Sequence, residues 1–220
     1  MKKAAAPAAA AAPKARGRPR SFDCEAALCS AMEVFREKGY EGASVSDLTE
    51  AMGINPPSLY AAFGDKEGLF LECVKRYREQ MMQECPYAEQ AGAREAMEGL
   101  LVDLAHYFTD SSHARGCLML MAATTAASSS PRLQELLAEE RAAGKARLRA
   151  RIERGVKEGE LPPDTDVSGL ANFYSAVIAG MSLQARDGAS RKSLMATVEN
   201  AMRAWPSKAP AKRKRAKAEA

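Results

Sequence analysis

Two adjacent prolines, Pro56 and Pro57, sit near the start of "GINPPSLYAAFGDKEGLF" (residues 53–70), in which the following residues favour helix. Proline inside a helix costs about 3 kcal/mol, because it lacks the backbone N–H and its ring strikes the preceding turn. In the first turn that objection disappears: those N–H groups have no intrahelical partner, and proline's fixed φ suits the start. The pair therefore marks a helix beginning. Asn55 is predicted as its N-cap, Pro56 and Pro57 as its opening positions and Ser58 to Phe63 as a short body.

The neighbouring segments read as helices too. Residues 23–38 place Ala27, Leu28, Ala31, Met32, Val34 and Phe35 at spacings of three and four, an apolar stripe that Gly39 terminates. In "ASVSDLTEAMG" Ser44 is the expected N-cap, with Asp47 three residues on completing a capping box and Gly53 ending the helix. Asp65 is placed to cap a fourth helix, "KEGLFLECVKRYREQMM", with Leu69, Phe70, Cys73 and Tyr77 on one face. Two short helices joined by a Gly-containing turn outline a helix-turn-helix, whose second helix enters the DNA major groove. Brevity and an abrupt start suit a helix presented in that way.

Beyond Pro86 the expected helices are longer, over residues 92–110, 117–127, 131–158, 166–187 and 190–204. Ser130 before Pro131 is a predicted cap, and Asp164 or Thr165 is expected to cap the helix after Pro162 and Pro163. With 46% hydrophobic residues but only 6% aromatic ones, the composition fits helices packed on small side chains. No convincing strand is found. The fold class is all-α: an N-terminal three-helix helix-turn-helix domain and a larger helical ligand-binding and dimerisation domain.

The net charge of +4 is unevenly spread. Residues 1–20 hold six Lys or Arg and no acid, and residues 206–220 hold six against Glu219, so residues 21–205 carry seven net negative charges. The expected organisation is a disordered basic arm (1–20), the helix-turn-helix domain (21–66), the helical domain (67–205) and a disordered basic tail (206–220). The Ala-rich start lacks the Leu/Ile/Val-rich segment of a signal peptide, and no stretch reaches the roughly 18 apolar residues of a membrane span. A cytoplasmic protein without a membrane partner is expected.

Cys24, Cys29, Cys73, Cys85 and Cys117 form no CxxC and no paired Cys–His motif, so no metal is expected. Most are predicted to be reduced thiols filling core space. No cofactor-binding motif or catalytic constellation is found, and two histidines supply little acid–base chemistry. His106 shares a helical face with Leu101, Val102 and Ala105, which predicts a pocket or core position.

Residues 21–75 closely resemble the TetR family of bacterial transcriptional regulators. The likeness rests on "ALCSAMEVFREKGYEGASVSDLTEAMGINPPSLYAAFGDKEGLF": a Gly-Tyr-(x)2-Ala-Ser turn, Gly53-Ile54, Ser58-Leu59-Tyr60, and Phe63 followed by Lys66-Glu67 and Leu69-Phe70. Residues 86–205 resemble the family in length and helix count. The resemblance implies a homodimer, its last two long helices bundled with the partner's, and an unknown small-molecule inducer held by each subunit. It implies a palindromic double-stranded DNA operator, with Tyr60, Lys66 and Ser44 on phosphates and Ser46, Pro57 and Ser58 facing the groove. Ala61 and Ala62 replace the aromatic and histidine side chains frequent in relatives, which removes base reading from those positions.

Residues 21–85 hold twelve acids against six Lys or Arg, so phosphate attraction must come from placement, helix N-termini and the arm. In "RGRPR", Arg16, Arg18 and Arg20 are suited to the narrow minor groove. Cys117, in "ARGCLMLMAATT", follows Gly116 at a predicted helix start with Arg115 adjacent, and both features favour a thiolate. The stretch also resembles the Gly-Cys-Leu segment of TetR-like repressors that respond to electrophiles and oxidants; buried packing is the competing role. Met97, Leu101, Met119, Met121, Phe173, Tyr174, Val177 and Met181 are candidates for a pocket lining, with ordinary core as the alternative. The expected function is a repressor released by a small molecule or an electrophile. An activator of the same fold, a nonspecific architectural DNA binder and a helical enzyme are the alternatives, the last disfavoured by the missing chemistry.

Overall fold

The computed structural model describes residues 23–84, 92–125 and 131–206. Among these, every regular element is helical: α1 (Cys24–Gly42), α2 (Val45–Met52), α3 (Pro56–Phe63), α4 (Lys66–Glu84), α5 (Ala93–Phe108), α6 (Leu118–Thr125), α7 (Pro131–Lys157), α8 (Val167–Arg186) and α9 (Arg191–Arg203). The fold is all-α, with an N-terminal helix-turn-helix unit and a larger helical C-terminal unit. The arm, the tail, Cys85 and the Ser130 cap lie outside the described residues.

Local chemistry sets the helix starts. The Asp23 carboxylate accepts from the N–H groups of Glu25 and Ala26, and the Asn55 side chain accepts from Ser58 N–H at 2.9 Å with both prolines behind it. Ser44 and Asp47 form the reciprocal capping box: the hydroxyl accepts from Asp47 N–H at 3.0 Å, and the carboxylate accepts from Ser44 N–H at 3.0 Å. Asp65 accepts from Gly68 N–H at 2.7 Å and so caps α4. One expected cap moves. The N-cap of α8 is Asp166, which accepts from Gly169 N–H at 2.9 Å, whereas the Thr165 hydroxyl turns back to the Pro162 carbonyl at 2.7 Å. Thr165 therefore belongs to the turn before the helix.

The N-terminal unit closes on one apolar centre. Leu48 from α2, Leu59 from α3 and Leu69 and Phe70 from α4 are fully buried against Phe35 of α1. Each such side chain contributes about 1.5–3 kcal/mol relative to exposure. Phe70 meets Phe35 edge-on at 5.0 Å between ring centres and Tyr40 at 5.2 Å. Gly53 stands between α2 and α3 in the left-handed region (φ 64°), and Ile54 N–H bonds back to the Thr49 carbonyl at 3.1 Å. A side chain with a Cβ is strained there, so the tight turn selects glycine.

In the C-terminal unit α7 packs on α8, and α5 packs on α8 and α9. Tyr174 of α8 is fully buried, donates to the Ala201 carbonyl at 3.1 Å and contacts the Trp205 ring at 5.5 Å. Helix α6 touches both α1 and α7, and one continuous apolar core joins the two units.

Candidate nucleic-acid interface

Helix α3 is anchored by Leu59, with Phe63 partly buried against the core at its end, and turns its other face outward. Leu59 is fully buried, whereas Pro56, Pro57, Tyr60 and Ala61 are exposed, with Tyr60 at 50%. Leu59 fixes the rotation of the helix, and the cap and prolines fix its first turn, so Tyr60 projects from a constrained backbone. Ser44 and Ser46 are exposed at the start of α2, and Ser58 is half-buried. The Ser44 hydroxyl donates to the Asp47 carboxylate at 2.7 Å. Asp47 also accepts from the Lys38 ammonium at 2.7 Å, an interaction that holds its carboxyl well below the usual range.

Lys66 is less open than its motif position implies. Its ammonium donates to the carbonyls of Tyr40 at 3.0 Å and Ala43 at 3.1 Å, and stands 4.4 Å over the Tyr40 ring. Two of the three ammonium N–H groups are thus engaged within the chain. Helices α2 and α3 contain no Lys or Arg, while Asp47 and Glu50 are acidic. Arg16, Arg18 and Arg20 lie outside the described residues.

Cys117 lies immediately before α6 and is 8% exposed. Its backbone N–H donates to the Ser182 hydroxyl at 2.9 Å, its carbonyl accepts from Met121 N–H at 3.0 Å, and its thiol neighbours the buried hydroxyl of Tyr77. Arg115 is exposed and donates to the Ala189 carbonyl at 3.4 Å. The buried cation at this turn is Arg36, whose guanidinium donates to the Gly116 carbonyl at 2.9 Å. The other described thiols differ in setting: Cys73 is buried, Cys24 half-buried and Cys29 exposed. Burial drives the Cys73 thiol strongly upward.

The residues considered for a ligand lining differ in burial, and Met97, Leu101 and Tyr174 belong to the continuous core against which Val177 packs. Met97, Leu101, Met121 and Tyr174 are buried, Val177 is half-buried and Phe173 is 41% exposed on α8. A cleft of about 450 Å³ lies elsewhere, lined by Gln80, Val102, Asp103, His106, Tyr107, Asp110, Ser112 and His113. None of the six lines it. His106 is at its exposed edge rather than in the core, and the His113 ring lies 4.5 Å from that of Tyr107. Among the described residues no group of three or more His, Cys, Asp or Glu is placed to hold a metal ion, and no helix is long and apolar enough to cross a membrane.

Residues 28–73 match the family description "Bacterial regulatory proteins, tetR family", and residues 93–205 match "Tetracyclin repressor-like, C-terminal domain". The chain belongs to the TetR family. Among its relatives is the HTH-type transcriptional repressor ComR of Escherichia coli, 36% identical over 88% of this chain and 93% of ComR. Another E. coli relative, the HTH-type transcriptional repressor BdcR, is 30% identical over 82% of this chain and 88% of BdcR. A cysteine-substituted form of the TetR family regulator CifR, solved with 26-base-pair operator DNA, is 44% identical, covers 86% of this chain and all of that one, and superposes with a TM-score of 0.80. This TetR-family chain is a DNA-binding transcriptional regulator.

Two residues that organise this regulator were invisible in the sequence. Arg36, which follows Phe35 on α1, is 1% exposed. Arg186 of α8 donates to the carbonyls of Arg36 and Glu37 at 2.6 and 2.7 Å. Both bridge segments far apart in the chain, so no local pattern carries their signal.

Proposed function

We propose that the chain is a homodimeric transcriptional repressor that holds a palindromic operator until a small molecule or an electrophile acts on its C-terminal core. The carrying observation is α3 itself: a capped, proline-started helix pinned by Leu59, with Tyr60 half exposed. On this reading Tyr60 and Ser44 contact phosphates, Ser46, Pro57 and Ser58 face the groove, and Lys66 uses its remaining N–H on phosphate. Pro57 has no donor to offer a base but packs on thymine methyl groups. Arg18 and Arg20 enter the adjacent minor groove.

The dimer reading is supported by α8. Phe173 and Leu183, 41% and 52% exposed, lie with Val177 and Gly180 at helical spacing along it. A second copy of the same stripe would cover both side chains, as two-fold symmetry requires. Two recognition helices then meet half-sites one helical turn, about 34–36 Å, or a multiple of it apart. The operator-bound CifR structure and the repressor names of ComR and BdcR favour this over an architectural or enzymatic role. The site of action is the cytoplasm, where the DNA is.

The test is fluorescence anisotropy with DNA from just upstream of the chain's own gene. Reduced protein is titrated in against competitor DNA, and N-ethylmaleimide is added at saturation. Competitor-resistant binding followed by release, with Cys117→Ser resisting release, supports an electrophile-responsive repressor. Binding without release points to a reversible inducer and leaves Cys117 as packing. Binding equally well to any duplex overturns the sequence-specific reading, and transcription assays with the bound fragment separate repression from activation.

A further inference from the structure

Three helices and the turn before α6 meet on the guanidinium of Arg36. From α1 it donates to the Tyr107 hydroxyl of α5 at 3.1 Å, to the Gly116 carbonyl before α6 at 2.9 Å and to Glu33 of its own helix at 3.3 Å. It also lies 5.1 Å from the Tyr107 ring centre and 5.9 Å from that of Tyr77 on α4. Glu33 completes a second grip on the same turn, accepting from Ala114 N–H at 2.7 Å. Helix α8 holds both partners from behind: Ser182 accepts from Cys117 N–H at 2.9 Å, and Arg186 donates to the Arg36 carbonyl at 2.6 Å.

We infer that Arg36 is the positioning residue through which the Gly116–Cys117 turn sets the pose of α1, and with it the helix-turn-helix packed on α1. A buried arginine remains charged, and since the Nε–H of Arg36 is buried without a hydrogen-bond partner among the described residues, the two terminal nitrogens carry its pairing. Its nearest acid, Glu33, is 38% exposed, so the guanidinium depends on neutral oxygens of the C-terminal unit. Buried ion pairs are often replaceable by apolar side chains without loss of stability, so stability alone does not explain this one. The turn is also tight. Gly116 has φ +89°, and a Cβ there would stand 3.1 Å from the Ser182 carbonyl oxygen. A ligand or adduct that shifts this turn moves the Gly116 carbonyl. Arg36 must then follow it, carrying α1, or leave its Nη2 without the Gly116 carbonyl while Glu33 and Tyr107 still hold Nη1. The inference deepens the proposed release mechanism but does not require Cys117 to react.

Hydrogen exchange by mass spectrometry on the full chain tests the relay without DNA. The turn is disturbed by Gly116→Ala or, more gently, by Ser182→Ala, each with Arg36 and in an Arg36→Met background. With Arg36 present, the disturbance speeds amide exchange in residues 33–42 and in α2 and α3 about tenfold, the scale of one charge-assisted hydrogen bond. With Arg36→Met the same disturbance leaves those amides within about twofold of Arg36→Met alone. An equal response in both backgrounds, or none with Arg36 present, overturns the relay. Arg36→Gln replaces Arg36→Met if the latter does not fold, and failure of both makes Arg36 a folding residue and also overturns it. Anisotropy on the upstream DNA is run in parallel. A chain that passes the exchange cycle without binding that DNA disproves the operator assignment and leaves the relay standing.

Discussion

Lys66 donates to the carbonyl of Tyr40 at 3.0 Å while its ammonium stands 4.4 Å above the ring of the same residue. With the further bond to Ala43 at 3.1 Å, the first residue of α4 clasps the turn that leads into α2. Lys66→Met removes a charged donor from two carbonyls and is expected to cost about 1–3 kcal/mol, read as a lower urea midpoint with an unchanged slope.

Tyr60 makes the opposite prediction. It is 50% exposed, so Tyr60→Phe should change stability by less than about 0.5 kcal/mol. Removing the hydroxyl from a phosphate contact should weaken operator binding by about tenfold, measured by anisotropy beside a thermal melt of the same preparation.

The arm is read from salt dependence. With no Lys or Arg on α2 or α3, Arg18 and Arg20 should supply a large share of the counterion release. Arg18→Ala with Arg20→Ala should flatten the slope of log affinity against log salt by about 2, since each lost phosphate contact removes about 0.9. An unchanged slope would leave the arm out of the complex.

The α8 stripe is tested by charge. Phe173→Glu with Leu183→Glu places like charges of two copies against each other in the proposed dimer. Sedimentation should show the wild-type chain at twice the monomer mass and the variant at the monomer mass. The variant should stay folded, because both side chains are exposed within one chain.

Burial pushes the Tyr174 phenol up to about 12, against about 10 in an unfolded chain. Between those values the folded chain keeps a proton that the unfolded chain releases, so its contribution is intact below pH ~10 and is lost as pH rises toward ~12. Tyr77 is shifted upward as well, also by burial. Tyr174→Phe should cost about 1 kcal/mol at neutral pH through the lost bond to Ala201. It should also lose less stability than the wild type between about pH 8 and about pH 11, as urea midpoints at the two values will show.

Helix starts were legible where one residue caps and its partner lies within three positions, as at Ser44, Asn55 and Asp65. The cap of α8 was not, because Asp164, Thr165 and Asp166 all have capping side chains. Choosing among them requires knowing where the preceding turn ends. The helix-turn-helix was readable because its parts are contiguous. The exposure of Phe173 beside the burial of Met97 and Leu101 was not, since periodicity identifies an apolar face without saying what covers it. Arg36 and Lys66 escaped for a related reason: their partners lie 71 and 80, or 26 and 23, positions away.

The uncharged and acidic character of α2 and α3 has a consequence for how the regulator spends its time in a genome. With no cation on these two helices, attraction to arbitrary duplex falls to the arm and Lys66, and the reading helices themselves add little to residence on wrong sites. Among about 10⁶–10⁹ competing sites, less protein is then sequestered off target. For the proposed repressor, fewer copies per cell would then suffice to keep one operator occupied.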